Sequence, residues 1–181
     1  MKRRTRLVLT LCLCLLSGWV QSLGWSLQPQ SRFGFRAVVE GEPFTAEFRR
    51  FEVNPVIDRA GMPTGFDVTV HLGGIDSGNA DRDREMAARE WFDAAAHPLA
   101  RFRSTAVERR PDGRFVAAGE LIIKGNGRPI EIPFDWRSGD SGVAMHGQID
   151  LDRRWFDVGP PDDSSVDATV SVFFSLGWDA R

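Results

Sequence analysis

The chain has no tyrosine, only three histidines, and two cysteines that both lie in one apolar run near its start, Cys12 and Cys14. These shortages exclude a good deal of chemistry. If that run is a removed leader, no thiol remains, which rules out disulfide cross-links, thiol catalysis and thiolate metal sites. His71, His97 and His146 have neither the i, i+4 nor the strand-adjacent spacing of a metal motif. No Gly-rich loop carries a phosphate or dinucleotide signature. Lysine is scarce, so the basic residues are almost all Arg, interleaved with Asp and Glu as on solvated strand faces. No uninterrupted apolar run reaches the roughly 20 residues of a membrane-spanning helix.

What is present begins with a change of composition at the N-terminus. Lys2, Arg3, Arg4 and Arg6 precede the apolar run Leu7 to Leu16, and Ser22 and Gly24 then stand at the spacing a signal peptidase reads. This three-part pattern predicts a signal peptide over residues 1–24, cut after Ser22 or Gly24, and a periplasmic or secreted product. Leu11 and Leu13 precede the two cysteines, which argues against a lipid-modified N-terminal cysteine. Removing the leader leaves 19 basic against 25 acidic residues, a net charge of −6. That balance speaks against nucleic acid as a partner. About 157 residues remain, enough for one core without cross-links.

From Ser31 the pattern has period two. Phe33, Phe35, Ala37 and Val39 alternate with Arg32, Gly34 and Arg36, and Phe44, Ala46 and Phe48 repeat the pattern after a turn at Gly41 and Pro43. The phase breaks at Arg50 and Phe51, where a bulge would bend the strand onward to Val53. A third strand carries Phe66, Val68, Val70 and Leu72. Five more follow: Ala100 to Ala106, Phe115 to Ile123, Ile130 to Trp136 after a return at Gly125-Asn126-Gly127, Val143 to Leu151, and Val166 to Leu176. A longer loop from Asp152 to Ser165 precedes the last.

One stretch, Asp81 to Ser104, departs from this pattern and carries a helical period. Asn79 or Asp81 would cap the helix, Asp83 and Glu85 suit its first turn, Trp91 would lie on its buried face, and Pro98 would stop it. Asp81, Asp83 and Glu85 are better read as helix-start charges than as calcium ligands, since the Gly and final Glu of a calcium loop are missing. Gly139-Asp140-Ser141-Gly142 and Ala95-Ala96-His97 spell protease-like motifs, but only 44 positions separate His97 from Ser141, and the serine lies in a hairpin turn. No catalytic residue and no metal site are assigned.

Eight mostly antiparallel strands close into a barrel whose interior is either just filled or holds one small ligand. The expected fold is therefore all-β with one inserted helix, an eight-stranded antiparallel barrel. Thirteen Phe and six Trp without tyrosine give aromatic bulk and little hydroxyl, a lining suited to an apolar guest. The period-two phase nominates Phe33, Phe35, Phe48, Phe102, Phe134 and Trp136 as lining residues, with Trp91 and Phe92 closing one end.

Three motifs in order resemble the YceI-like family of lipid or polyisoprenoid-binding proteins, over about Ser26 to Trp178. The first is Arg82-Asp83, Met86, Trp91-Phe92-Asp93, Pro98, Phe102 and Ser104; the second is Gly119 to Gly125 with Arg128-Pro129 and Ile130 to Phe134; the third is Arg153 or Arg154 with Phe156, Val158 and Gly159. The resemblance implies an extended lipocalin-like barrel over residues 26–181 with an apolar tunnel. It implies no enzyme and no cofactor beyond a bound isoprenoid or fatty chain, such as a polyprenyl phosphate, an isoprenoid quinone or a fatty acid derivative. A transient contact with a membrane or membrane protein would go with that role. The alternative is a barrel filled by its own side chains that serves as an interaction module for a membrane or electron-transfer partner. Two positions depart from the family pattern: Asn126-Gly127 replaces a usual Val-Thr, and Asp157 stands where Gly is common.

Overall fold

The alternating segments pair into one antiparallel sheet in the computed structural model, which describes residues 25–139, 142–162 and 165–179. The leader expected over residues 1–24 and the Asp140-Ser141 hairpin tip lie outside the described residues. The strands are β1 (Ser26–Leu27), β2 (Arg32–Val39), β3 (Glu42–Phe48), β4 (Phe51–Ile57), β5 (Pro63–His71) and β6 (Ile75–Asp76), followed by helix α1 (Ala80–Ala87). Then come β7 (Leu99–Arg109), β8 (Phe115–Ile123), β9 (Asn126–Gly139), β10 (Gly142–Asp152) and β11 (Thr169–Asp179). Their order in the sheet is β4-β5-β7-β8-β9-β10-β11-β2-β3-β6, with β1 added on β11.

Eleven named strands reduce to the eight expected from the alternation. Only Arg49 and Arg50 separate β3 from β4, and a short 3₁₀ turn, Leu72–Gly74, separates β5 from β6. Each pair is one bent strand, and β1 is a two-residue addition. The two bent strands run side by side, joined at the bend by Arg49 N–H to Gly74 O at 2.8 Å and His71 N–H to Arg50 O at 3.0 Å. Because β4 begins the sheet order and β3 stands next to its other end, yet the two are consecutive in the chain, the sheet must curl back on itself. The bend falls at the phase break in the sequence, where the inward set changes from Phe44, Ala46 and Phe48 to Phe51 and Val53.

Turn chemistry sets the register of two hairpins. Glu40-Gly41 (φ 52° and 83°) and Lys124-Gly125 (φ 50° and 78°) are two-residue loops with both residues left-handed, the twist that suits paired strands. The second loop corrects the return expected at Gly125-Asn126-Gly127. Asn126 and Gly127 are already paired in β9, opposite Ile123 and Ile122, so this strand starts four residues before Ile130.

The helix is shorter than its period suggested. It covers Ala80–Ala87 only, and residues 88–98 form successive turns before β7 begins at Leu99. Asn79 is the cap, its side-chain oxygen accepting from the N–H groups of Asp81 and Arg82 at 3.0 and 3.1 Å. Asp83 ties the first turn back to Ser77, accepting from its hydroxyl at 2.6 Å and its N–H at 2.9 Å. Ala88 then turns extended and Asp93 left-handed (φ 47°). From the turns that follow, Trp91 and Phe92 both border the barrel cavity.

Candidate functional site

The barrel interior is divided unevenly along its axis. One end is solid. Phe134 is fully buried, stacked on Phe115 (ring centroids 5.5 Å, 25°) and edge-on to Phe66 (5.3 Å, 88°). Trp136 donates its indole N–H to Gly61 O at 2.9 Å, and Trp178 donates to Val53 O at 3.1 Å, which ties β11 to β4 where no strand ladder joins them. The opposite end holds a cavity of about 420 Å³. A second space of about 90 Å³ lies deeper, and Phe33, Val70, Ala100, Leu121, Leu151 and Val172 border both.

The walls of the larger cavity come from the inward faces of β2, β3, β5, β8 and β11, with Phe33, Phe35, Phe44, Phe48 and Val170 among them. Met86, Trp91 and Phe92 roof it from α1 and the turns after it. Phe35 packs against Phe44, Phe48 and Phe92 at centroid distances of 6.1, 5.7 and 6.3 Å, which joins roof to wall. Asn79, Asp81, Arg82 and Glu85 border the cavity along one edge. Asn79, Asp81 and Glu85 are exposed, so that edge is where the cavity meets solvent.

Three loops are clasped beside the roof. The Lys124 ammonium donates to Asp157 O at 2.6 Å and Glu90 O at 3.3 Å, and Gly159 N–H donates to the same Glu90 carbonyl at 2.9 Å. Gly159 has φ 72°, and a Cβ there would lie 2.7 Å from the Trp91 ring, so glycine is needed for both backbone and contact. Asp157 keeps the left-handed conformation (φ 57°, ψ 40°) that glycine would adopt, so the loop shape survives the departure noted in the sequence.

Arg153 fixes the loop of Asp157 and Gly159 from within. Only 4% exposed, it donates to the carbonyls of Asp167, Val158, Pro160, Asp162 and Val166. Those five bonds match the five N–H donors of a guanidinium. Beside it, Asp152 caps the 3₁₀ turn Arg153–Phe156 and pairs with Arg154 through both carboxylate oxygens. The side-chain bond from Arg154 is the main cause that holds the Asp152 carboxyl below its ordinary range, with its backbone N–H adding to it.

The sequence-nominated residues therefore divide. Phe33, Phe35, Phe48, Trp91 and Phe92 border the larger cavity, and Phe102 borders the inner one. Phe134 and Trp136 border neither. They point inward as the alternation required, but β9 carries them to the packed end. Aliphatic residues such as Val70, Leu121 and Val172 share the same inward phase and line the cavity too, with alternation as the signal that marks them. Among the described residues, no group of three or more His, Cys, Asp or Glu stands close enough to hold a metal ion.

The family model for the YceI-like domain matches residues 25–177. The chain belongs to the YceI-like family. A UPF0312 protein of Photorhabdus laumondii is 24% identical over 139 residues, covering 71% of this chain and 68% of that one. Protein YceI of Escherichia coli O157:H7 is 26% identical over 139 residues, covering 71% and 69%. Among solved structures, Burkholderia cenocepacia BcnA superposes with a TM-score of 0.78 at 23% identity, covering 84% of this chain and 99% of that one. A polyisoprenoid binding domain from Saccharophagus degradans gives 0.68 at 15% identity, covering 88% and 99%. At such identities the structural likeness establishes the YceI-like barrel fold.

Proposed function

We propose that this protein is an exported binding protein that encloses the apolar chain of an isoprenoid or similar lipid, carrying or sequestering it without catalysing a reaction. The observation that carries this reading is the cavity of about 420 Å³, walled by Phe, Val, Leu and Ile and roofed by Met86, Trp91 and Phe92. Its volume falls in the range of ligand sites, roughly 300–1,000 Å³. Each buried methylene contributes about 0.8 kcal/mol, so a chain of ten or more could be held with few polar contacts. The polyisoprenoid binding of the Saccharophagus domain, which shares the fold, favours the same reading.

The leader-like N-terminus supports a periplasmic or secreted location. A transient contact with a membrane or membrane protein would supply the ligand. Trp155 fits that role, being 48% exposed on the turn whose neighbour Phe156 borders the cavity. The interaction-module alternative requires an interior filled by side chains, and the cavity volume counts against it.

Native mass spectrometry of the purified protein, paired with organic extraction, tests the proposal. A co-purifying lipid of stoichiometric amount is expected. A barrel that is consistently empty and takes up no added long-chain lipid would overturn it.

A further inference from the structure

We infer that Arg82 receives the head group of the bound amphiphile, and that this head group is an oxyanion, a carboxylate or a phosphate, on the apolar chain. The inference rests on the apolar-chain reading of the cavity and narrows it, separating anionic lipids from neutral ones such as quinones. An amphiphile whose chain fills the interior must leave its head at the polar edge, and the residues there are few.

Five polar side chains border the cavity: Asn79, Asp81, Arg82, Glu85 and Arg153. Arg153 has its five donors committed to loop carbonyls. Asp81 is ion-paired with Arg84, and the Asn79 side-chain oxygen is occupied by the α1 cap. Arg82 differs from all of these. Its guanidinium lies 4.5 Å above the centroid of Phe44, itself a lining residue, and the side chain is half-buried. Among the described residues the Arg82 side chain makes no hydrogen bond or ion pair. A chain emerging along Phe44 therefore meets a positioned cation with its donors uncommitted.

Charge and geometry agree on the class of partner. A guanidinium matches a carboxylate or phosphate through paired N–H bonds, and such bonds strengthen where water is partly excluded. Stacking on Phe44 limits the orientations that binding would otherwise have to freeze. Glu85 stands one helical turn from Arg82 and would favour a cationic head instead, but it is exposed where Arg82 is half-buried, so solvent weakens its pull more.

The test compares heads on one chain. Protein purified after expression of the full chain is stripped of lipid, and tryptophan fluorescence follows titration with tetradecanoate, tetradecyl phosphate, tetradecanol and tetradecylamine. Expected is binding of the two anions about tenfold or more tighter than the alcohol. R82Q should abolish that preference, weakening the two anions far more than tetradecanol, and R82K should restore part of it. Inorganic phosphate alone should not compete, since the chain supplies the affinity. Equal binding of anion and alcohol, a tighter amine, an unchanged preference in R82Q, or effective competition by inorganic phosphate would each overturn the head-group assignment. If none of the four ligands binds, the apolar-chain reading itself fails, and the inference with it. The alcohol arm also separates lost contact from lost fold, because a disordered α1 would weaken every ligand.

Discussion

Asp152 shows how much of this site depends on one side chain that touches no ligand. It caps the turn that carries Arg153 and Phe156, the first a loop anchor and the second a cavity wall. Its carboxyl is held below the ordinary range by Arg154, so the folded state favours the ionised form. The sign follows from linkage. A carboxyl with a depressed folded pKa contributes stability that is complete above its unfolded pKa, near 4, and is lost as pH falls through the lower folded value. Asp152→Asn should therefore lower the midpoint of thermal unfolding at pH 7, and the gap from the parent protein should shrink in acid. A gap that stays constant from pH 7 to pH 3 would contradict this role. Asp157 makes a different point at the same scale. Only its backbone torsions show that an aspartate does the work of glycine here.

At the scale of elements, the bent strand β3–β4 and the lid after α1 had different legibility. The bend was visible because alternation broke at Arg50 and Phe51, and a two-residue period cannot change phase without an extra residue. The end of α1 is not visible in the sequence, because a short capped helix and the turns that follow it share acidic and alanine-rich composition. An isolated eight-residue helix is below the length that sustains itself, so packing rather than propensity decides where α1 ends. Trp91 and Phe92 hang from those turns and roof the cavity without entering the barrel ladder. Replacing both with Ala should reduce retained lipid about tenfold while costing about 1 kcal/mol of fold stability, a shift of about 2–4 °C in Tm. Comparable losses in lipid content and thermal stability, measured on one preparation, would make the segment purely structural.

For the whole molecule, one barrel divides two tasks between its ends. The packed end, with Phe66, Phe115, Phe134, Trp136 and Trp178, supplies rigidity, and the cavity end forgoes that packing to keep space. Phe134→Ala should cost about 3–5 kcal/mol of stability and leave lipid affinity of the folded protein unchanged. Ala100→Leu, at the junction of the two spaces, should do the reverse, keeping stability within about 1 kcal/mol while shortening the longest chain accepted. Chemical denaturation and a chain-length series of fatty acids read the two outcomes. A loss of affinity in the first variant, or unchanged length selectivity in the second, would show that the ends are not independent.

By itself, the sequence determined most strand faces, the eight-strand wall, the bend and a helix start at Asn79 or Asp81, because period-two alternation and capping chemistry are local. The structure chose Asn79 and shifted register after Ser104, so that Val107 rather than Ala106 packs on the core. The sequence also placed Phe33, Phe35, Phe48, Trp91 and Phe92 toward the interior, where they border the cavity. Only the tertiary structure decided position along the barrel axis. Alternation says which face a residue takes but not how far along the axis it falls, so Phe134 and Trp136, inward like the rest, went to the packed end. The same limit hid the separate roles of Arg153 and Arg82, although both stand in motifs of the sequence, since what separates a loop anchor from an uncommitted cation is which carbonyls and rings the folded chain brings to each.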